Sequence, residues 1–425
     1  MRLLVRTVPV DSDADLVALA RRVGIAESRV PWAAQALGRP ACLLLTHLPE
    51  GAATLLRQLA GPPEREGAGP RLLTGGGEAA VLAGSRWELF SLASRLAALD
   101  HPAAAPLSEA MAHALASTKG PPREMEIGGR RFDFGRRTWV MGILNVTPDS
   151  FSDGGRYLDE DAAVARGEAL LEEGADLLDI GGESTRPGAA PVEAEEEQRR
   201  VVPVVRRLAA HGVPISVDTT KASVARAALD AGAAMVNDVS GLERDPEMAQ
   251  TVADAGVPVV LMHMRGTPAT MQAKASYRDL LEEVMDGLLR AMARARDAGI
   301  DEAQIVVDPG IGFAKRAPHT LALLRDLESL ATLGRPILVG ASRKSFIGAV
   351  CGAEVGERLP GSLAAAVLAA EHGAHFLRVH DVKETRQALA VFDAVRGEAE
   401  RGEAFGCGSS EARLASDARL RGGGT

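Results

Sequence analysis

The chain has 425 residues with a formal net charge of −9, and 46% of its residues are hydrophobic. This length predicts two domains with tails rather than one core. The negative charge argues against a general nucleic-acid or membrane-surface binder, although it leaves a local basic pocket open. Because aromatic residues make up only 3% of the chain, the core must be built mainly from Ala, Val and Leu.

The cysteines and the N-terminus indicate the compartment. Cys42, Cys351 and Cys407 have no CxxC or metal-ligand spacing, which is typical of proteins in a reducing environment. The first residues lack the apolar segment of a signal peptide, and no apolar run reaches membrane-spanning length. We therefore expect a cytoplasmic protein with no membrane partner and no nucleic-acid partner.

The first segment, residues 1–118, has the pattern of a small α/β domain. Apolar runs predict strands at 3–8, 41–45 and 79–83, and amphipathic runs predict helices at 15–22, 52–59 and 87–99. Its TGGGE stretch (74–78) lacks the spacing of a phosphate-binding loop, so we interpret it as a plain turn. Nothing here has catalytic spacing. A regulatory, a dimerising and a scaffolding role are equally open.

Residues 119–138 are a predicted linker with a β-hairpin around Gly128 and Gly129, which could close the bottom of the next domain. From residue 139 the chain alternates between strand and helix. The predicted strands lie at 139–144, 176–180, 214–217, 234–236, 257–262, 304–307, 336–339 and 375–379, each followed by a helical pattern. Eight such units over roughly 250 residues predict a (β/α)8 TIM barrel of the α/β class at 139–396. An open doubly wound sheet, which usually has fewer strands, is the alternative.

The tail at 397–425 is rich in Gly, Ser, Ala and charge, which predicts disorder.

Every predicted barrel strand ends on polar residues or glycine. Each could be a helix cap, a turn residue or a buried core histidine by itself. In a barrel, however, the carboxyl ends of all strands meet at one mouth, where the active sites of this fold lie. The residues at these ends are Asn145, Asp179, Asp218, Thr219, Asn237, Asp238, His263, Asp308, Gly340, Ser342, Arg343, Lys344, Arg378 and His380.

Some of these side chains suit a flat nitrogen heterocycle. Asp218, Asn237 and Asp308 offer carboxylates and an amide at neighbouring depths. A carboxylate matches a guanidine-like edge that presents adjacent N–H groups. Lys344 adds a donor for a ring nitrogen or carbonyl. The pattern therefore favours a heterocyclic ligand at the mouth.

Other side chains suit anions. Arg378 and His380 lie two residues apart on a strand, so they share a face, and both suit phosphate. Ser345 begins the helix after the seventh strand, where free N–H groups favour a carboxylate. Asn145 and nearby acids could hold Mg²⁺ through oxygen, often together with substrate phosphates. No His/Cys cluster suggests zinc.

Eight short motifs carry these strand-end residues. In order they are NVTPDSFSDGG (145–155), DIGGESTRPG (179–188), SVDT (216–219), ND (237–238), LMHM (261–264), DPGIGFAK (308–315), SRKSFIG (342–348) and RVHDV (378–382). Together they resemble dihydropteroate synthase over about residues 125–396, but not over the first segment or the tail. The resemblance implies a (β/α)8 barrel that condenses 6-hydroxymethyl-7,8-dihydropterin pyrophosphate with p-aminobenzoate, giving 7,8-dihydropteroate and pyrophosphate in folate biosynthesis.

By motif match, the resemblance also assigns roles to residues. The pterin would be bound by Asp218, Asn237, Met262, Asp308, Gly340 and Lys344. The pyrophosphate and its Mg²⁺ would be met by Asn145, Arg378 and His380, with Asn145 as the metal ligand. The p-aminobenzoate pocket, the sulfonamide target of the family, would be formed by Phe151, Thr185, Arg186, Pro187, Phe313 and Ser345. The catalytic set would be Asp308, Lys344, Arg378, His380 and Arg186. Family members are commonly dimers, so a homodimer is expected.

The reactants themselves suggest the chemistry. Pyrophosphate leaves from a carbon attached to an electron-rich pterin that can stabilise a cation, so the protein need not supply a nucleophile. We expect a dissociative (SN1-like) substitution, with Mg²⁺ and cations on the leaving group and Asp308 against the charged ring.

Two alternatives stay open at this point. A methyltransferase barrel that passes methyl groups from methyltetrahydrofolate to a corrinoid would share the carboxylate-and-amide grip, but it needs neither the Arg378–His380 pair nor the STRPG loop. A paralogue could also bind pterins without condensing them, although the intact loops around Asn145 and Arg186 argue against that. One departure from the family is Ala314, where many relatives carry glycine, a change that could tighten the backbone.

Overall fold

The structure is a computed structural model that describes residues 4–8, 41–60, 70–74, 79–84, 86–117, 122–147, 156–185 and 188–396. Three predicted segments of the fold lie outside these ranges: the helix at 15–22, most of the TGGGE turn, and the tail at 397–425. In the described helices, no segment is long and apolar enough to cross a membrane.

The N-terminal unit is built on an antiparallel sheet of order β1-β2-β4-β3. Its elements are β1 (Leu4–Val8), β2 (Ala41–Thr46), α1 (Ala52–Leu59), β3 (Arg71–Thr74), β4 (Ala80–Gly84), α2 (Arg86–Ala97) and α3 (Ala104–Ser117). Leu43, Leu45 and Leu82 face the helices and are fully buried, together with Leu107 and Met111 of α3. Helix α3 lies at the end of the first predicted segment, and its apolar face completes this core.

The barrel is a ring of eight parallel strands in the order β12-β11-β10-β9-β8-β7-β14-β13. An isolated parallel bridge between Val307 and Ile337 joins its two ends. The strands are β7 (Trp139–Asn145), β8 (Leu177–Gly181), β9 (Ile215–Asp218), β10 (Met235–Asp238), β11 (Val259–Met262), β12 (Ile305–Asp308), β13 (Leu338–Val339) and β14 (Phe376–Val379). The predicted TIM barrel is confirmed.

Helices cover the outside of the ring. They are α4 (Arg156–Glu172), α5 (Ala194–Ala209), α6 (Ala222–Asp230), α7 (Met248–Ala255), α8 (Leu280–Asp297), α9 (Ala317–Arg325), α10 (Ser345–Cys351), α11 (Leu359–Glu371) and α12 (Val382–Arg396). The strands are short β-branched and apolar runs buried along almost their whole length, because one face packs on these helices and the other fills the ring.

A hairpin packs into one end of the ring. Strands β5 (Glu124–Ile127) and β6 (Arg130–Asp133) pair antiparallel, and Phe132 lies in a core cluster with residues from the interior of the ring. Its ring centre is 4.9 Å from that of Trp139 and 5.7 Å from that of Phe376. These contacts fill the end opposite the polar strand ends with aromatic side chains.

Three arginines converge on one buried carboxylate beside this hairpin. Asp176, which precedes β8, is only 3% exposed. Its Oδ1 accepts hydrogen bonds from Arg130 Nη2 at 3.1 Å and Arg137 Nη2 at 2.8 Å, while Arg386 pairs with Oδ2. Oδ2 also accepts the backbone N–H of Val140 at 2.9 Å. One carboxylate thus ties the hairpin, the linker and the last helix to the first two barrel strands.

Replacing this carboxylate should destabilise the whole barrel. In Asp176→Ala, three guanidinium groups lose their counter-charge, so the free energy of unfolding should fall by about 3–5 kcal/mol in urea denaturation. The matched control is Asp286→Ala, which breaks a surface pair with Arg290 and should cost less than about 1 kcal/mol. Equal losses in the two variants would contradict the role given to Asp176.

Candidate active site

The carboxyl ends of the barrel strands bring the polar residues to one mouth. Asn237 on β10 is in register with Asp218 on β9, and Met262 on β11 is in register with Asp308 on β12. Residues in register on parallel strands point to the same side of the sheet. Asp218, Asn237 and Asp308 are all buried at 7%, 3% and 6% exposure. The ring therefore places two buried carboxylates and an amide together at the mouth, as the sequence predicts.

A buried ion-pair network organises one half of the mouth. Arg378 Nε donates to Asp179 Oδ2 at 2.5 Å, and its Nη2 donates to Asp218 Oδ2 at 2.6 Å. Asn237 Nδ2 donates to the same Asp179 oxygen at 3.0 Å. Burial opposes the charged guanidinium, but the carboxylates of Asp179 and Asp218 raise the pKa of Arg378 above its ordinary value. Arg378 is therefore a permanent cation held by two acids.

Asp179 is a residue whose role the motif match did not assign. Its side chain is fully buried, and its Oδ2 orients both Arg378 and Asn237. Its Oδ1 is buried without a hydrogen-bond partner. A buried carboxylate oxygen without a partner lowers the stability of the fold. The side chain of Asp179 therefore carries a cost in stability, while its other oxygen positions two predicted ligands. Its place at a strand end was the available signal in the sequence.

The other half of the mouth combines Asp308 with Lys344. Burial raises the pKa of Asp308, although the nearby charge of Lys344 and the N–H of Gly310, which donates at 2.6 Å, oppose the rise. Lys344 Nζ donates to the carbonyl of Ile311 and lies 4.6 Å from the ring centre of Phe313. Removal from water lowers the pKa of Lys344 to about 8. Burial likewise raises the pKa of Asp218 to about 7. The mouth therefore holds two groups, Asp218 and Lys344, whose pKa values lie near neutrality.

The remaining predicted residues fall around this space. Gly340 lies beside Arg378, where an added Cβ would make an ordinary contact 3.8 Å from the Cβ of Arg378. His380 Nδ1 pairs with the Ser342 hydroxyl at 3.0 Å. Ser345 is the exposed first residue of α10, and Asn145 is the half-buried last residue of β7.

The β8–α5 loop borders the same cleft. Thr185 is half-buried and lines it together with Asp218, Thr219 and Arg244. Phe151, Arg186 and Pro187 lie outside the described residues.

Two lysines that the sequence reasoning did not single out also support the mouth. Lys221 Nζ bonds the carboxylates of Glu183 in the β8–α5 loop and of the fully buried Glu197. It therefore anchors the base of the loop that carries Thr185. Its position just after a strand end was the only sequence signal.

Lys315 supports the turn after β12. Its buried ammonium contacts His263 Nδ1 at 2.9 Å and the carbonyls of His263 and Phe313 at 3.2 and 3.0 Å. Burial lowers the pKa of both Lys315 and His263 well below their ordinary values. Gly310 in this turn has φ 69°, and an added Cβ would lie 2.1 Å from the His263 carbonyl oxygen. Only glycine fits so close an approach.

Comparisons with known proteins agree with this geometry. The family model for the pterin binding enzymes matches residues 141–380. The chain is 52% identical over 262 residues to a dihydropteroate synthase of Mycobacterium leprae, covering 60% of this chain and 92% of the relative. The chain belongs to the dihydropteroate synthase family. It is therefore a transferase, and the predicted resemblance is confirmed.

Solved structures show the same barrel. Dihydropteroate synthase of Xanthomonas albilineans with 4-aminobenzoic acid superposes with a TM-score of 0.61 at 50% identity, covering 64% of this chain and 98% of that one. The Yersinia pestis dihydropteroate synthase in complex with a sulfonamide drug superposes with a TM-score of 0.61 at 45% identity, covering 64% and 99%. Because these chains are almost fully covered by the barrel portion, they lack a counterpart of the N-terminal unit.

Substitution of Asp179 should test the ion-pair network. Asp179→Asn removes the negative charge opposite Arg378 and replaces the acceptor with a weaker, neutral amide oxygen, so we expect affinity for a dihydropterin pyrophosphate to fall by about tenfold or more in calorimetric titration. Asp161→Asn, which alters an exposed pair with Arg207, serves as the control and should bind normally. Unchanged affinity in Asp179→Asn would exclude a positioning role.

Proposed function

We propose that the chain condenses 6-hydroxymethyl-7,8-dihydropterin pyrophosphate with p-aminobenzoate to give 7,8-dihydropteroate and pyrophosphate. The observation that carries the proposal is the convergence of Asp218, Asn237, Asp308, Lys344 and Arg378 at one mouth in a chain of this family. These groups match the two ends of that substrate, a flat heterocycle and a polyanion.

The pterin would lie against the acids, the amide and Lys344. Asp218 and Asp308 can accept from the N–H groups of a guanidine-like edge, and Lys344 can donate to a ring nitrogen or carbonyl. Met262 would line the slot from the end of β11, where it is buried. Arg378 donates to Oδ2 of Asp218, and the other oxygen of that carboxylate can accept from the ring.

The pyrophosphate would meet Arg378, His380 and Asn145. Strand β14, which carries Arg378, pairs with β7, which ends at Asn145. The amide oxygen of Asn145 suits Mg²⁺, which commonly takes few protein ligands and completes its coordination with water and phosphate. Among the described residues, no three His, Cys, Asp or Glu side chains form a metal cluster, so the proposal relies on phosphate oxygens. When bound, Mg²⁺ would offset the negative charge of the leaving group.

The reaction would proceed by dissociation before attack. The C–O bond breaks with its electron pair leaving on pyrophosphate, where Arg378 supplies positive charge and His380 can add a hydrogen bond. The cation left on the pterin methylene is delocalised into the dihydropterin ring beside the carboxylate of Asp308. The amine of p-aminobenzoate then forms the C–N bond and gives up a proton. No side chain needs to act as a nucleophile.

The p-aminobenzoate would lie between the loops at the mouth. Phe313 and Thr185 would border this space, with Phe151, Arg186 and Pro187 on the neighbouring loops. Ser345 and the start of α10 would take the carboxylate. We propose that sulfonamides compete for this pocket, because the similar Yersinia pestis enzyme has been solved with such a drug.

The direct test is pyrophosphate release by the full-length protein with both substrates and Mg²⁺, with the product identified by mass. Arg378→Ala should lower kcat by about 100-fold or more, since a cation on the leaving group is lost, whereas the surface variant Arg290→Ala should keep normal turnover. Binding of the pterin without any product would identify a non-synthase paralogue. Activity that requires methyltetrahydrofolate as a substrate would instead indicate a methyltransferase.

The pKa shifts predict a narrow pH optimum. Asp218, with a pKa of about 7, binds the pterin edge only when charged, so kcat/KM for the pterin substrate should fall below that pH. Lys344, with a pKa of about 8, donates fully only when protonated, so kcat/KM should fall above that pH. In Lys344→Arg the alkaline limb should move upward while the acid limb stays. A flat profile across this range would contradict both assignments.

We also propose a homodimer. Large apolar side chains are exposed on neighbouring helices on one side of the barrel, namely Leu321, Val350, Leu368, Val391 and Val395. A patch of this kind commonly marks an interface, and a second copy is the partner that the family resemblance implies. The double variant Leu368→Glu/Val391→Glu should elute as a monomer in light-scattering chromatography. Leu99→Glu, at an exposed apolar residue of the N-terminal unit, should keep the dimeric mass.

The cytoplasm is the location that we propose. Both cysteines in the described part of the chain, the buried Cys42 and the exposed Cys351, are free thiols, as is usual in a reducing compartment. Recovery of the protein in a secreted or membrane fraction after cell fractionation would contradict this.

A further inference from the structure

The N-terminal unit contacts the barrel beside the β11–α8 segment. Strand β1 and helix α3 lie against the 3₁₀ turn Leu327–Leu333. His47, which follows β2, reaches the first turn of α8, where its Nε2 contacts Glu282 Oε1 without the geometry of a hydrogen bond. The two side chains are only 23% and 17% exposed. An addition that the similar solved enzymes lack therefore covers a carboxylate at the start of a barrel helix.

That first turn is bonded tightly to the loop before it. The N-cap Asp279 accepts the backbone N–H of Glu282 at 3.1 Å. The neighbouring Glu283 accepts the backbone N–H groups of Arg278 and Asp279 at 2.7 and 3.0 Å, and its other oxygen pairs with Arg265 at the beginning of the loop. The segment 265–283 is thus one hydrogen-bonded unit that ends under the N-terminal unit.

The same segment holds the turn that carries Phe313. The guanidinium of Arg265 lies 4.1 Å from the ring centre of Tyr277, whose hydroxyl donates to the Ala314 carbonyl at 3.0 Å. Gln272 Nε2 donates to the Gly312 carbonyl at 3.2 Å. Two side chains of the segment therefore bond the carbonyls on either side of Phe313.

The backbone of Ala314, whose carbonyl accepts one of these two bonds, is strained. Its φ is 52°, in the left-handed region that costs a non-glycine residue about 1 kcal/mol or more. The residue that departs from the family pattern is thus strained, and the Tyr277 hydroxyl holds its carbonyl in place. Loss of that bond would leave the strained turn with fewer restraints around Phe313.

We infer that the N-terminal unit is a positioning domain for the p-aminobenzoate half of the site. It fixes the start of α8 through His47, and the 265–283 segment passes this restraint to the Phe313 turn. The inference rests on the proposed function for its kinetic readout, but its structural readout is independent of turnover. His47 and Tyr277 are positioning residues, because neither touches the reacting atoms.

The experiment uses the full-length chain with His47→Asn. His47 has φ 53°, and asparagine tolerates this backbone while its side chain is too short to reach Glu282. Backbone amides in 265–283 and 310–315 should exchange with deuterium faster than in the unaltered protein. The KM for p-aminobenzoate should rise about fivefold, with kcat and the KM for the pterin substrate nearly unchanged, since only one half of the site loosens.

Two further variants locate the effect. Tyr277→Phe removes only the bond to Ala314, so it should raise the KM for p-aminobenzoate similarly and speed exchange in 310–315 alone. His211→Asn breaks a half-exposed pair with Glu168 on another part of the barrel and should change neither quantity.

Unchanged exchange in both segments of His47→Asn would overturn the inference. A uniform rise in exchange across the chain, with a lower Tm and an unchanged KM, would show a merely stabilising contact and would also overturn it. If the unaltered protein shows no turnover, the proposed function fails, while the exchange of the two segments still decides the inference.

Discussion

The buried carboxylate of Asp179 is the constraint around which the site is arranged. It fixes the guanidinium of Arg378 and the amide of Asn237 through one oxygen, so the proposed leaving-group cation and the proposed pterin ligand are set by the same atom. The arrangement is possible because the carboxyl ends of the parallel strands meet at one mouth, where these side chains are buried. Low solvent access also raises the pKa of Asp218 to about 7 and lowers that of Lys344 to about 8.

Support for the site comes from residues that never approach the proposed substrates. Lys221 anchors the loop after β8, and Lys315 ties His263 to the Phe313 turn. At the other end of the ring, Asp176 gathers three arginines and joins the hairpin to the last helix. Buried charges of this kind contribute little net stability as pairs. Their value lies in holding loops and strands in one geometry.

The N-terminal unit changes how this barrel can be compared with its relatives. The similar solved enzymes are covered almost completely by the barrel portion, so their mouths form without such a unit. In this chain, Ala314 occupies a left-handed turn. The contact through His47 lies at the far end of the segment that restrains this turn. The contact with the N-terminal unit and the strained backbone of Ala314 therefore lie at two ends of the same 265–283 segment and its bonded turn.

The sequence by itself determined the alternation of strands and helices and the polar ends of the strands, because both depend on local periodicity. Asp218, Asn237 and Asp308 could be chosen from these patterns. Only the tertiary structure decided that Arg378 bonds Asp179 across the ring, that helix α3 belongs to the N-terminal core, and that His47 meets Glu282. These contacts join residues far apart in the chain, and no local pattern encodes which distant partner a buried charge will find.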